Sequence, residues 1–257
     1  MQDYLEVEIM DRWYNTETYY ITSADTDAAY EYKASGIFVL LQKVCSEHAK
    51  NLLVNRDEIM AKYNCNWMAL RTYLKLHRPM FWFETVTAKS IIRKPAGKRL
   101  YWDCELYVGD DLVGEASTIW CMVNLSTKRS INIEGLPEFP MMNPPGARNL
   151  TLSRIDFPDN MEFHDKRKLY YSDTDINGHL NNTRYVDLAC DAAELHLRPK
   201  GVFLQEILMC YVNECFAGEE ITIYRGKEDG YLFIHGIGPD GGDRFDCKIK
   251  MSSTEGL

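Results

Sequence analysis

An acid, an amide and an imidazole alternate at Asp175, Asn177 and His179. They run into Asn181 and Asn182, and then into apolar residues at Tyr185, Leu188, Ala189, Ala192 and Leu195. The spacings of three and four in that apolar set are helical. An Asn at a helix start is favourable, because its side-chain oxygen accepts a free amide of the first turn. The stretch therefore predicts a strand, a polar loop and then the positive end of a helix. Such a place can polarise a carbonyl and hold a water. Each polar residue alone reads as a cap or a turn residue. As a cluster they read as a site.

Two sets of elements must position it. A strand is predicted at 16–22, a long helix at 29–53 and a short helix at 56–63. Ile37, Leu40, Leu41, Val44 and Leu52 form one face of the long helix, with Gly36 an unusual presence inside it. Strands follow at 68–77, 84–93, 99–108 and 112–125, separated by turn signals such as Pro95-Ala-Gly97. The Pro-rich stretch 135–160 has little periodicity. It reads as a linker draped over the surface. The order then repeats, with a strand at 162–172, a helix at 181–197 and strands at 203–216, 220–225, 231–237 and 244–251.

The halves can be superposed as sequences. Ser23-Ala-Asp-Thr-Asp27 precedes the first helix as Tyr171-Ser-Asp-Thr-Asp175 precedes the second. In that register Ala29 falls opposite Asn177 and Glu31 opposite His179. Matching Glu84-Thr-Val-Thr with Glu219-Glu-Ile-Thr sets Pro79 opposite Glu214. A duplicated unit is expected, with chemistry in the second copy alone. Two copies can join their sheets and so remove an exposed edge.

The run Asp175-Ile-Asn-Gly-His-Leu-Asn-Asn-Thr-Arg-Tyr185 resembles the active-site signature of the acyl-acyl carrier protein (acyl-ACP) thioesterases of plants and bacteria. In that family an Asp-x-Asn-x-His-x-Asn-Asn run precedes the long helix of a hotdog fold. A second family landmark is a Glu-Cys pair on a later strand, and Tyr211-Val-Asn-Glu-Cys215 stands in the right order. The resemblance covers most of the chain. It implies an α+β fold of two tandem hotdog domains, each a long helix wrapped by an antiparallel sheet, pairing into one larger sheet. The N-terminal domain (1–134) would shape the acyl pocket, 135–160 would link, and the C-terminal domain (161–257) would be catalytic. Aromatic residues are dense in the first half, at Trp67, Trp82, Phe83, Trp102 and Trp120. The implied activity is hydrolysis of fatty acyl-ACP to free fatty acid and holo-ACP, without a cofactor.

Thioester hydrolysis needs a deprotonated water and a polarised carbonyl. The leaving thiolate, with a pKa of about 8.5, needs little help from an acid. The resemblance points to Glu214 as the base, at the end of the apolar run Ile207-Leu-Met-Cys-Tyr-Val, where desolvation would strengthen it. Asn177 is assigned to orient the water or the carbonyl oxygen. A backbone amide between Gly178 and Asn181 would complete an oxyanion site. His179 would hold the water or accept a proton, and Asp175 would fix the imidazole or tether Asn177. A rival set is papain-like, with Cys215 as nucleophile beside His179 and Asn177. Adjacent strand residues face opposite ways, so only one of Glu214 and Cys215 can face His179.

The net charge of −9 argues against nucleic acid as a partner. An acidic carrier protein then needs a local basic patch, and Lys89, Arg93, Lys94, Lys98 and Arg99 are the candidates, with Lys166, Arg167 and Lys168 next. The eight Cys are scattered without Cys-x-x-Cys spacing or a neighbouring His-rich tract, so no metal site is expected. No apolar run approaches the roughly 20 residues of a membrane span. The start has neither a secretory signal nor a plastid transit segment, which favours a bacterial cytoplasmic enzyme or a trimmed chain. Monomer and homodimer both remain open. Rival functions are a hotdog acyl-CoA thioesterase and a non-catalytic acyl-binding module. A dehydratase fits the Asn-x-His and Glu-Cys signatures poorly.

Overall fold

The structure is a computed structural model that describes residues 12–148 and 150–254. Its strands are β1 (Tyr14–Tyr20), β2 (Cys65–Leu76), β3 (Thr85–Ile92), β4 (Leu100–Val108), β5 (Asp111–Asn124), β6 (Glu162–Lys168), β7 (Val202–Tyr211), β8 (Glu220–Glu228), β9 (Tyr231–Ile237) and β10 (Asp243–Ser253). The helices are α1 (Ala34–Asn51), α2 (Arg56–Tyr63) and α3 (Asn182–Ala192). The ten strands hydrogen-bond in the order β1-β3-β4-β5-β2-β7-β10-β9-β8-β6. Reading inward from either end gives the same succession of repeat positions, so the predicted duplication is present in the topology.

The described residues form two compact units, 12–20 with 40–70 and 85–152, and 21–39 with 71–84 and 153–254. They do not follow the repeat boundary. The loop before α1 and the turn after β2 belong with the second copy of the repeat. In the first unit His48 of α1 reaches Ser90 of β3 and Trp102 of β4, which seats the helix on that sheet. The expected apolar face is buried at Leu40, Leu41 and Val44 of α1 and at Leu52, just past its end. In the second unit Tyr185 of α3 packs edge-on to Tyr211 of β7 and Phe245 of β10.

Several boundaries move for local reasons. The helix predicted at 29–53 begins only at Ala34. Asp27 draws the chain into a tight loop by accepting the amides of Ala29 and Glu31, and Thr26 bridges Tyr32. Gly36 is explained by that loop, since a Cβ there would lie 2.4 Å from the Tyr32 ring. The helix predicted at 181–197 is α3, and it stops at Ala192. Glu194 adopts φ 54 and starts a separate turn at Leu195–Leu197.

The strand predicted at 203–216 ends at Tyr211, because the amides of Val212 and Asn213 both turn onto the carbonyl of Arg244. The linker is not merely draped. Phe139 and Leu152 are buried in the first unit, and Ile155 is buried against Cys210 and Phe233 in the second.

Candidate active site

Two segments build the site, and both lie in the second unit. The first is the loop from Tyr171 to Asn181. A short helical turn at Tyr171–Asp173 opens it, with the Asp173 carboxylate on the Tyr170 amide. Asp175 then organises the rest. Its Oδ1 accepts the Asn177 amide at 2.8 Å, and its Oδ2 accepts Asn181 Nδ2 at 3.3 Å. Its main chain closes the loop, accepting from Gly178 and donating to the carbonyl of His179. Gly178 takes φ 80, a left-handed conformation that glycine adopts without steric cost. Asn181 caps α3 by accepting the Thr183 amide at 2.9 Å, as its position in the sequence predicts.

The second segment is the turn from Val212 to Glu219. The Leu180 amide donates to the Cys215 carbonyl at 2.7 Å, and His179 bridges Phe216. This pairing brings the Glu214 carboxylate to the imidazole. Glu214 Oε1 lies 3.6 Å from His179 Nε2, with the Glu214 side chain 52% exposed and that of His179 26% exposed. The desolvation expected at the end of an apolar strand is therefore not in place, since Glu214 sits beyond β7 in an open turn.

Cys215 faces away from the imidazole. It is wholly buried, with its thiol against the Tyr185 hydroxyl and the Arg244 guanidinium. Burial pushes the thiol up to about 11, so little thiolate exists near neutrality. The opposition of these two adjacent residues is as anticipated, although they lie in a turn.

Asp175 acts as a tether. Its carboxylate holds the backbone of Asn177 and the side chain of Asn181, and the Asn177 side chain remains exposed. The amides of Gly178, Leu180 and Asn181 are committed to carbonyls of the chain. Three of the four amides expected as oxyanion donors are therefore already occupied. Sequence reasoning did not single out Tyr185 or Arg244, which hold the Glu214 turn from beneath. Tyr185 lay within the motif as an apolar helix residue, while Arg244 carried no local signal.

The first copy repeats the backbone and the acid, with other side chains at the amide and imidazole positions. Ala29 donates to Asp27 as Asn177 does to Asp175, Tyr32 donates to Met80 as Leu180 does to Cys215, and Glu31 bridges Phe81 as His179 bridges Phe216. The register inferred from sequence is thus observed, with Glu31 at the histidine position. There Arg198 Nη2 fills the loop, 2.7 Å from Asp27 and 2.9 Å from Glu31. Burial raises the pKa of the Glu31 carboxyl above the ordinary carboxylate value, against the pull of Arg198.

The basic patch divides. Lys94, Lys98 and Arg99 are exposed, and Lys89 is partly buried 3.9 Å from Glu105. Arg93 leaves the set, because it is buried with its guanidinium on Asp103 at 2.7 Å. The aromatic set divides too. Trp102 is buried and Trp67 bonds the Val54 carbonyl in the first unit. Trp82 and Phe83 stack on each other in the turn after β2, with Phe83 exposed.

A helix carried on an antiparallel sheet, present twice in one chain and with a polar loop at the head of the second helix, is the double hotdog arrangement of thioesterases. The chain matches the acyl-ACP thioesterase N-terminal domain over residues 13–137 and the acyl-ACP thioesterase C-terminal domain over residues 158–252. It belongs to the acyl-ACP thioesterase family.

Among solved structures it is similar to an acyl-ACP thioesterase from Bacteroides thetaiotaomicron, with a TM-score of 0.84, 18% identity, and coverage of 95% of this chain and 99% of that one. The 12:0-ACP thioesterase from Umbellularia californica aligns with a TM-score of 0.78 and 15% identity over 94% of this chain and 98% of that one. These likenesses concern the fold. In sequence the chain is 24% identical over 198 residues to the chloroplastic oleoyl-acyl carrier protein thioesterase of Coriandrum sativum, covering 68% of this chain and 52% of the relative. The chain thus spans about half the length of the curated relatives it matches. No helix among the described residues is long and apolar enough to cross a membrane.

Proposed function

We propose that the protein hydrolyses the thioester of fatty acyl-ACP by carboxylate-activated water, releasing a free fatty acid and the carrier thiol. The observation that carries this reading is the approach of Glu214 to His179, 3.6 Å apart, on two segments that hold the family's two landmarks. Glu214 takes a proton from a water that His179 holds. The water oxygen bonds to the carbonyl carbon while the Asn177 side-chain NH2 and the His179 backbone N–H bond the developing oxyanion. The tetrahedral adduct then breaks its C–S bond. The thiolate takes the proton from Glu214, which restores the base. Entry of the acyl arm covers the half-exposed carboxylate, and exclusion of water strengthens it.

The water route is favoured over a Cys215 nucleophile by the buried, upward-shifted thiol. Lys94, Lys98 and Arg99 are the proposed contact for an acidic carrier, and an isologous homodimer is compatible with the reading. The test is thiol release from carrier-protein thioesters of medium to long chains, measured beside the matching acyl-CoA esters. A higher kcat/KM for the carrier-protein esters is expected. Glu214→Gln should lower the rate by roughly 10²- to 10⁴-fold. Equal or better turnover of the CoA esters would count against the carrier, and an active Glu214→Gln enzyme against the base.

A further inference from the structure

Arg244, the second residue of β10, is one of the few charged side chains buried in the second unit, at 5% exposure. A buried guanidinium is costly unless its surroundings use it. Here the backbone has made room for it. A Cβ on Gly238 would lie 2.2 Å from the guanidinium carbon, so any larger residue there would expel the group. Asp240 Oδ1 holds Nη2 at 2.8 Å, and the Gly242 carbonyl accepts Nη1 at 3.2 Å.

What this anchored cation touches is the turn that carries Glu214. At the near end, the Arg244 carbonyl accepts the amides of Val212 and Asn213 at 3.0 and 3.2 Å. Under the middle, the guanidinium lies against the Cys215 thiol, whose other neighbour is the Tyr185 hydroxyl. At the far end, Arg244 Nε lies 4.0 Å from Glu219 Oε2, and that same oxygen accepts the Phe216 amide at 3.1 Å. One residue thus bonds the turn before Glu214 through its backbone carbonyl, while its buried guanidinium packs beneath the turn, with Nε unbonded and 4.0 Å from the Glu219 carboxylate after it. Glu214 itself is exposed, and its carboxylate lies 3.6 Å from the imidazole. An exposed carboxylate on a turn keeps a fixed direction only if the turn is held.

We infer that Arg244 is a positioning residue, a clamp that aims the Glu214 carboxylate at His179. The inference rests on the proposed role of Glu214 as base. It also accounts for the cysteine beside Glu214 as an apolar, weakly bonding filler between Tyr185 and the clamp. A lysine cannot take the place of Arg244, because an ammonium lacks the planar fork that serves Asp240 and the turn together. Displacing a reacting group by about 1 Å costs on the order of 10²-fold in rate.

The test is a cycle of variants on the full chain, with kcat and KM measured for a carrier-protein thioester and folding followed by thermal melts. Arg244→Lys and Arg244→Met should each lower kcat by roughly 10- to 100-fold with little change in KM. Gly238→Ala, which displaces the guanidinium without removing it, should act in the same direction. In a Glu214→Gln background, Arg244→Met should have almost no further effect, since the group it aims is already gone. An equal loss in both backgrounds would overturn the clamp and leave a general structural role. So would a folded Arg244→Met enzyme with unchanged kcat. Full activity of Glu214→Gln alone would instead remove the base reading on which the clamp depends.

Discussion

Arg93→Met should destabilise the fold and not merely weaken a surface. Sequence alone groups Arg93 with Lys94 and Lys98 as one basic patch. In the structure the Asp103 carboxylate is fully buried and collects four donors: Arg93 Nε at 2.7 Å, Arg93 Nη2 at 2.7 Å, Ser117 Oγ at 2.6 Å and the Arg148 amide at 2.8 Å. The bidentate arginine supplies two of them and the only formal positive charge among them. Removing one partner of such a pair leaves an uncompensated buried charge, at about 3–5 kcal/mol. For a chain of this size each kcal/mol moves the melting temperature by about 2–4 °C, so a fall of roughly 6–20 °C is expected.

Near-ultraviolet circular dichroism melts measure it, with Lys94→Met as a surface control that should stay within about 0.5 kcal/mol of the parent. Adding Asp103→Asn to Arg93→Met removes the stranded charge and should recover part of the loss. Recovery stays partial because Ser117 and the Arg148 amide then face a weaker acceptor. If Arg93→Met melts within about 2 °C of the parent, the buried-charge reasoning is wrong.

His48 should make the fold acid-sensitive. Trp102 donates to its Nδ1, so its proton sits on Nε2 and bonds the Arg12 carbonyl, and burial lowers the pKa to about 4. Its folded pKa lies below the unfolded value, so the unfolded chain binds the proton first and stability falls as pH drops from about 6.5 towards 4, by up to about 3 kcal/mol. Urea midpoints across that window should fall less steeply in His48→Gln, and an unchanged slope would refute the assignment. Cys215→Ala should keep most of the activity, because the thiol is buried and faces Tyr185. Mass spectrometry that trapped an acyl group on Cys215 would overturn the water route. Charge reversal of Lys94, Lys98 and Arg99, all exposed, should raise KM for carrier-protein thioesters and flatten its salt dependence, since rim charges act mainly on encounter. A small pantetheine thioester should be unaffected, and equal shifts for both substrates would dismiss the patch.

Local chemistry made much of this protein legible. The Asn181 cap, the helical spacing after it and the turn signals between strands act over a few residues, where propensity and periodicity decide. The duplicated Asp-Thr-Asp loops were legible for the same reason, because an Asp that accepts the amide two residues on builds the same loop in both copies. The chain therefore determined by itself that a hotdog unit occurs twice, with the acid kept in both copies as Asp27 and Asp175 and the amide and imidazole present only in the second.

Tertiary structure decided which residues are free to act. Arg93 and Lys94 are neighbours of like charge, and only Asp103, brought alongside by the β3–β4 pairing, separates a buried ion pair from a surface cation. Residues 203–216 carry strand propensity to their end, yet the ladder stops at Tyr211 because the Arg244 carbonyl takes the next two amides. That break sends Glu214 towards His179 and Cys215 into the core. Nothing within reach of those two residues along the chain distinguishes the outcomes. The partner that does is distant in sequence, and its hydrogen bonds exist only once the sheet has formed.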